Sequence, residues 1–364
     1  MFIESSSAVD IVYLWVDGSD PQWRIKRAKA GQQMSAIQHQ NLAVHGNVEG
    51  RFRNNEELRY NLRAIERFFP DHGHIYVVTD SQKPEWLLES ENLTVVDHRD
   101  LIPADRLPVF DSGNIESYIH RIPGLSERFF YLNDDVFFGS MVNLDDWFYP
   151  GGIYASWSDE KMVTDEPMRA DATSLENACR LSHDWLRAHS PHVNGVRKNG
   201  VAMPIHAKTI EEKYSPVFRT FAHSPRPMLR SRMYYLEHIA PELFESVRST
   251  VFRRWDKPTI VSDFVIRWAL ASGQARLSEH SHIYVSAGDG GNASLKNVLA
   301  DLVKKAGRLD FFCINDTADD ADANDPRLQR VRCALQAIFS EPSGFELSLV
   351  PGAYSKTDQL MSVA

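Results

Sequence analysis

The triplet Asn133-Asp134-Asp135 constrains this chain more than any other feature. It closes a short apolar run, Phe129-Phe130-Tyr131-Leu132, and a second run, Val136-Phe137-Phe138, follows directly. Two adjacent carboxylates at the tip of a buried strand are costly unless a cation meets them. A divalent metal carrying a diphosphate would do so. The plainer reading has one Asp capping a turn and the other facing water. For an isolated pair that reading is the better one, so the rest of the chain decides.

Three further apolar segments precede the triplet: Val9 to Val16, His74 to Thr79 and Leu93 to Val96. With Phe129 to Leu132 they are short, rich in Val, Ile, Tyr or Phe, and without clean alternation, as expected of strands covered on both faces. Each is followed by an acid: Asp17, Asp80, Asp97 and Asp134. Ligands of open α/β sheets bind beyond the carboxyl ends of the strands, so these acids point to one polar crevice. Between the first two strands, Leu58, Leu62, Ile65 and Phe69 fall at helical spacing, Asn54 and Glu57 resemble a capping box, and Pro70 stops the helix. A second helix is expected over Asn114 to Arg121, with Ile115, Ile119 and Ile122 inward and Glu116 and His120 as i, i+4 neighbours.

Residues 28 to 50 show no periodicity and read as a mobile loop, with a lid as one use. The chain divides into an α/β core over 1–150, a mostly helical insertion or second lobe over 151–290, a returning segment over 291–346 and a flexible tail over 347–364. Ala287 to Ser294 is Gly-rich, and Leu328, Val331, Leu335, Ile338 and Phe339 mark a last amphipathic helix. The acidic run from Asp319 to Asp325 is not an EF-hand, since its sixth position from Asp320 is Asp325 and its twelfth is Val331; a solvated linker fits better.

With 364 residues, 43% of them hydrophobic and 24% charged, the composition is that of a soluble globular protein. No apolar run is long enough to span a bilayer, and Met1 to Asp10 lacks the pattern of a secretory signal. A formal charge of -9 argues against general nucleic-acid binding. Cys179, Cys313 and Cys333 are far apart and form no Cys-x-x-Cys spacing, which favours reduced thiols in a cytoplasmic setting, each as a small core residue.

Several motifs balance chemistry against a plain alternative. Gly18, after Trp15-Val16-Asp17, allows a turn whose N–H groups face a phosphate, or an ordinary Asp-Gly turn. Arg51 and Arg53 before a helix suit an anion, or a solvated pair answered by Glu56 and Glu57. Glu116 could fix the tautomer of His120, although such pairs are more often superficial. His223 lies among prolines with Arg226, and Arg253-Arg254 precedes Trp255-Asp256.

In combination these segments resemble the Stealth family, which includes bacterial capsular and exopolysaccharide phosphotransferases and the catalytic subunit of N-acetylglucosamine-1-phosphotransferase. The resemblance rests on four blocks. The first is Asp10 to Asp20. The second runs from Arg51 to Phe138 and contains Asn55-Glu56-Glu57-Leu58-Arg59-Tyr60, Ile115 to Ser126 and Tyr131-Leu132-Asn133-Asp134-Asp135. The third holds His223-Ser224-Pro225, Met228, Phe252-Arg253 and Asp263. The fourth holds Cys313-Ile314-Asn315-Asp316 and Pro342 to Glu346. Residues 28 to 50 and 151 to 215 match poorly. The chain begins close to the first block, so no separate acceptor-handling region is expected.

The resemblance implies an α/β fold with a Rossmann-like (GT-A-like), mostly parallel sheet and a helical insertion or second lobe. It implies transfer of a hexose 1-phosphate or N-acetylhexosamine 1-phosphate from a UDP-sugar such as UDP-GlcNAc to a glycan hydroxyl, with release of UMP. Asp134 and Asp135 would hold Mg²⁺ or Mn²⁺, His223, Arg253, His120 and Glu116 would form the catalytic set, and Asp17, Arg51, Arg53, Asn55, Glu57, Arg59, Asn133 and Asn315 would bind substrate. A cytoplasmic enzyme, peripheral to a capsule export complex, is the matching setting. The alternatives are a metal-dependent glycosyltransferase releasing UDP and a non-catalytic sugar-nucleotide or glycan binder.

Overall fold

The structure, a computed structural model, describes residues 8–189, 217–288, 292–322 and 324–347. The four apolar segments form strands β1 (Asp10–Leu14), β2 (Ile75–Thr79), β3 (Leu93–Asp97) and β4 (Arg128–Asn133). All five residues of β1 and of β2 are buried, whereas β3, at the sheet edge, exposes Thr94. The expected α/β class is therefore observed, with strand order β3-β2-β1-β4 and parallel pairing throughout. The chain runs outward from β1 on one side and returns to β4 on the other. This puts a topological switch point between β1 and β4, where such sheets open a ligand crevice.

Strand β5 (Val136–Phe138) follows β4 after a two-residue turn. Strands β6 (Phe148–Tyr149) and β7 (Gly152–Ala155) form a hairpin. The segment expected to be mostly helical, 151–290, contains the helices Ser174–His189, Arg230–Ile239, Pro241–Arg248 and Val265–Ala271. It also contains β8 (Arg226–Leu229), β9 (Ala275–Leu277) and β10 (His282–Ser286). Strand β8 adds antiparallel to β4 and completes the main sheet, so this segment is interleaved with the core. Residues 190–216 of that segment, part of the Gly-rich loop and nearly all of the tail fall outside the described residues. Strand β11 (Phe311–Asn315) pairs parallel to β10 and antiparallel to β5, which returns the C-terminal segment to the core.

Helix Glu57–Phe68 buries Leu58, Leu62, Ile65 and Phe68 against the sheet; each is worth about 1.5–3 kcal/mol of apolar burial. Its start is not the expected capping box. Glu56 adopts φ 68, and the Glu57 carboxylate turns back to accept from the Asn55 N–H and Nδ2 at 2.6 and 2.8 Å. Residues 28 to 50 are also more ordered than a loop: Asp20 caps helix Pro21–Gln32, and Ser35 with Gln38 forms a capping box on Ala36–Gln40. Only Trp23 and Ala30 of the longer helix are buried, so it carries no apolar stripe to read. The expected helix over 114–121 breaks at Ser117. Arg248 donates to the Ser117 Oγ at 3.0 Å and its carbonyl at 2.7 Å, leaving helix Ser112–Glu116 and a short 3₁₀ turn, Ile119–Arg121. Cys179 and Cys313 are buried as expected, but Cys333 is exposed on the last helix, Pro326–Ile338.

The C-terminal segment is locked to helix Glu57–Phe68 by Glu346. It accepts from Arg63 Nε at 2.6 Å, Arg63 Nη2 at 2.9 Å and Arg59 Nε at 2.6 Å. Burial alone would raise the Glu346 carboxyl, but the donors from Arg63, the Ser343 N–H and Arg59 hold it to about 2. Removing one partner of a buried pair strands the other charge, so Glu346→Ala is expected to destabilise the chain by about 3–5 kcal/mol, read as a lower urea midpoint. Because the folded value is depressed, this contribution is present above the ordinary carboxyl range and lost as pH falls toward 2. The mutant's deficit should therefore shrink in acid.

Candidate functional site

A crevice of about 400 Å³ opens above the carboxyl ends of β1 and β4. Its floor is the turn Asp134-Asp135 between β4 and β5. The Asn61 side chain holds that turn: Nδ2 donates to the carbonyls of Asp134 at 2.8 Å and Val136 at 2.9 Å, while Oδ1 accepts from Tyr13 OH at 2.9 Å. On the other side the Ile314 N–H donates to the Asp135 carbonyl at 2.9 Å, and Cys313 Sγ lies 3.6 Å from Asp135 Oδ2.

Both carboxyls are held in an environment hostile to charge. Burial, with Glu57 and Asp135 nearby, raises Asp134 well above its ordinary value. Burial pushes Asp135 up to about 6, and burial with Asp316 nearby pushes Glu57 up to about 7. Asp135 Oδ1 is buried without a hydrogen-bond partner among the described residues. Such a set fits a divalent cation. Among the described residues no group of three or more His, Cys, Asp or Glu side chains is arranged to hold a metal. The pair would therefore share the ion with ligand oxygens, as Mg²⁺ sites do.

Cationic groups face this turn. Arg51 lines the crevice, its Nε is buried without a partner among the described residues, and burial followed by the charge of Arg253 pushes its guanidinium down to about 9. Arg253 donates to Ser112 Oγ at 2.5 Å and lies 3.7 Å from Asp111. Asp111 also takes Lys257 at 3.1 Å and Thr250 Oγ1 at 2.7 Å; these partners outweigh its burial and keep it below its usual value. His223 lines the same wall. Burial first, then Arg226 and Arg253, push its imidazole down to about 4, so it is neutral at pH 7. Glu116 accepts from Tyr131 OH at 3.0 Å, and Tyr131 OH also reaches Asn133 Oδ1 at 2.7 Å.

The structure thus brings together Arg51, Glu57, Glu116, Asn133, Asp134, Asp135, His223, Arg253 and Asn315. Arg53 also lines the crevice, but its guanidinium is spent on Asp316 at 2.5 Å and on the carbonyls of Ala318 and Ala321. Asn55 stands one layer behind, against Glu57. Three expectations are corrected. His120 is fully buried away from the crevice, 2.8 Å from Glu237; the break at Ser117 separates it from Glu116, which therefore does not orient it. Arg59 serves Glu346 and Glu56. Asp17 accepts from its own turn, from the Ser19 N–H at 2.9 Å and Oγ at 2.7 Å, and the Gly18 N–H donates to the Phe52 carbonyl rather than facing outward. A Cβ on Gly18 would stand 2.3 Å from that carbonyl, so the glycine serves close packing.

Asp80 lines the crevice as its strand end suggested, whereas Trp15, His98 and Lys257 were given no role. At the β1–β2 end of the crevice, Trp15 Nε1, Asp80 Oδ2 and His98 Nδ1 are all buried without partners among the described residues. Lys26 takes only the other Asp80 oxygen, at 2.7 Å. This is a set of donors and acceptors ready for a heterocycle or a ribose. Arg226 and Lys257 add charge near His223 and Arg253. The prolines flanking each of the two, Pro225 with Pro227 and Pro258, were the available signal for rigid placement.

A carboxyl raised by burial contributes stability below its unfolded value and loses it as pH rises through its folded value. For Asp135 this window runs from about 4 to about 6. In chelator, Asp135→Asn should therefore gain in melting temperature over the parent as pH rises through that window, by an amount equivalent to about 2–3 kcal/mol. A pH-independent difference would show that Asp135 is not desolvated.

Two family models match the chain: Stealth protein CR1, conserved region 1, over residues 8–35, and Stealth protein CR2, conserved region 2, over residues 51–155. An exopolysaccharide phosphotransferase of Streptomyces coelicolor is 34% identical over 342 residues, 93% of this chain and 33% of that protein. One of Mycobacterium leprae is 30% identical over 344 residues, covering 93% and 57%. A capsular polysaccharide phosphotransferase of Actinobacillus pleuropneumoniae is 37% identical over 176 residues, covering 48% and 47%. The chain thus spans between 33% and 57% of the length of these curated relatives. Among solved structures, the galactosyltransferase LgtC aligns over 94% of this chain and 98% of its own at 10% identity, with a TM-score of 0.42, a likeness too loose to carry a mechanism. No helix among the described residues is long and apolar enough to cross a membrane.

Proposed function

We propose, for a chain that belongs to the Stealth family, that it transfers a hexose 1-phosphate or N-acetylhexosamine 1-phosphate from a UDP-sugar to a glycan hydroxyl. UMP leaves and a phosphodiester forms. The names of the relatives support this reading. The observation that carries it is the crevice itself: a neutral imidazole beside guanidinium groups, facing carboxylates that need a cation. Phosphoryl transfer asks for positioning and charge neutralisation more than for covalent chemistry.

In this reading Trp15, Asp80 and His98 hold the nucleoside, and Arg51 and Arg253 bind diphosphate oxygens. Asp134 and Asp135 would hold Mg²⁺ or Mn²⁺, which supplies positive charge to the diphosphate. The acceptor oxygen attacks the phosphorus that bears the sugar, its proton passes to the free ring nitrogen of His223, and the phosphorus–oxygen bond to UMP breaks. The sugar C1–O bond is untouched, so anomeric configuration is retained. Burial, with Arg226 and Arg253, keeps His223 unprotonated until that moment. Asp111 positions Arg253 and Lys257. A donor of this kind places the reaction in the cytoplasm, with a growing polysaccharide or a primer as acceptor.

Incubation with UDP-GlcNAc, Mg²⁺ and a mixed glycan acceptor, followed by nucleotide separation, tests the reading. Acceptor-dependent UMP with a phosphodiester in the product is expected. Acceptor-dependent UDP would make the chain a glycosyltransferase, and donor binding without turnover across acceptors would make it a binder. His223→Ala should lower turnover by about 10²–10⁴ while sparing donor affinity, and Asp135→Asn should abolish the metal dependence. Since His223 is already neutral above about 4, the rising limb of activity at limiting metal should follow the carboxyls near 6 to 7. A limb near 4 would assign it to the histidine.

A further inference from the structure

A second hollow, of about 700 Å³, lies at the opposite end of the main sheet. It is lined by Arg128 at the start of β4 and Leu229 at the end of β8, whereas the crevice holds Asn133 and Arg226 from the other ends of the same strands. Five steps of β4 separate the two, about 17 Å.

At its base sits Arg232, in the first turn of helix Arg230–Ile239. Arg232 is 5% exposed, yet among the described residues Nε and Nη1 have no hydrogen-bond partner, and only Nη2 is used, by Gln274 Oε1 at 3.0 Å. Among the described residues no carboxylate lies within ion-pair distance of it. Tyr235 lies one turn on, on the same helix face, and its hydroxyl is also buried without a partner among the described residues. A buried guanidinium and a buried phenol left unsatisfied together are costly, and each cost is recovered by an acceptor that enters the hollow. The helix N-terminus adds no ligand site of its own, since Glu127 already accepts from the Arg230 N–H at 2.8 Å and the Ser231 N–H at 3.1 Å. The acidic residues nearby do not supply that acceptor: Glu127 is engaged by the Ser231 N–H at 3.1 Å and Oγ at 2.6 Å, and Asp145 is exposed. The walls are aromatic. Tyr149 and Tyr235 are half-buried, Trp268 packs on Tyr235 at 5.4 Å, and the Arg276 guanidinium lies 4.2 Å from the Tyr149 ring centroid.

We propose that this hollow is a second binding site, for a saccharide bearing a carboxylate or phosphate group, with the anion on Arg232 and Tyr235 and the sugar ring against the tyrosines. The anion follows from the unsatisfied donors. The saccharide rests on the function proposed above and on the apolar faces that aromatic rings offer to sugar C–H groups. The site is far from the transfer centre, so it would hold a remote unit of an anionic glycan and leave the donor crevice free.

Binding is measured without donor or turnover, so it is decided separately from sugar-phosphate transfer. The full chain carrying Arg51→Gln, which weakens anion binding in the crevice, is titrated calorimetrically with glucose 1-phosphate, glucuronate, inorganic phosphate and methyl glucoside. At least one anionic sugar should bind more tightly than inorganic phosphate, with methyl glucoside far weaker; the tighter of the two sugars identifies phosphate or carboxylate as the natural group. Adding Arg232→Gln should weaken binding at least tenfold and Tyr235→Phe two- to fivefold, with melting temperatures confirming that both variants fold. Affinities within twofold of the parent in both variants, or no binding of either anionic sugar at millimolar concentration, would overturn the site. Inorganic phosphate binding as tightly as the sugars would overturn its assignment to a saccharide.

Discussion

The carboxamide of Asn61 is the contact on which the rest of the site depends. One side chain, wholly buried, donates to the carbonyls on either side of Asp135 and accepts from a tyrosine on β1. It joins helix Glu57–Phe68, the first strand and the turn between β4 and β5 into one rigid corner. Two like charges at such a corner repel each other and want to turn toward water. With the backbone fixed on one side by Asn61 and on the other by β11, they are held facing the crevice. Fixing the backbone makes their demand for a cation a property of the fold rather than of side-chain choice.

Around that corner the crevice is organised as opposed deficits. Asp134, Asp135 and Glu57 are acids that resist ionising; Arg51 and Arg226 are bases lowered by burial; His223 is an imidazole kept neutral. Among the described residues Asp135 Oδ1 and Arg51 Nε have no partner, whereas Glu57 takes Asn55, Arg53 pairs with Asp316 and Lys257 with Asp111. Both kinds of group line the cavity, but the answered pairs also hold loops in place while the unanswered atoms are left for a ligand. That division separates framework from chemistry better than residue type does, since arginines occur on both sides of it.

The strands and the acidic turn were legible in the sequence because each is a local pattern: a run of β-branched and aromatic residues, then an acid. The Stealth blocks pointed to His223 and Arg253, which lie far along the chain from the turn. What escaped depended on long-range events. Ser117 is helical in every local respect, and only an arginine from residue 248 ends the helix there and turns His120 away from Glu116. Arg59 and Arg63 carry no sign of Glu346 some 280 residues later. Trp15, Asp80 and His98 become a cluster only because β1, β2 and β3 are neighbours. Helix Pro21–Gln32 was invisible because it buries two residues and offers no period.

Strand β11 has a consequence for how the molecule comes into being. It is the last strand in the described chain, and it brings Cys313 to Asp135, Ile314 to the turn's backbone and Asp316 to Arg53. The crevice is thus assembled from residues between positions 14 and 317, and one side of its floor is braced only by β11. Residues up to 150 supply β1 to β4, both aspartates, Asn61 and Arg51, whereas His223, Arg253 and the β11 brace lie beyond them. Such long-range pairing is slow to form. A chain cut before β11 would keep both aspartates without the strand that braces one side of their turn.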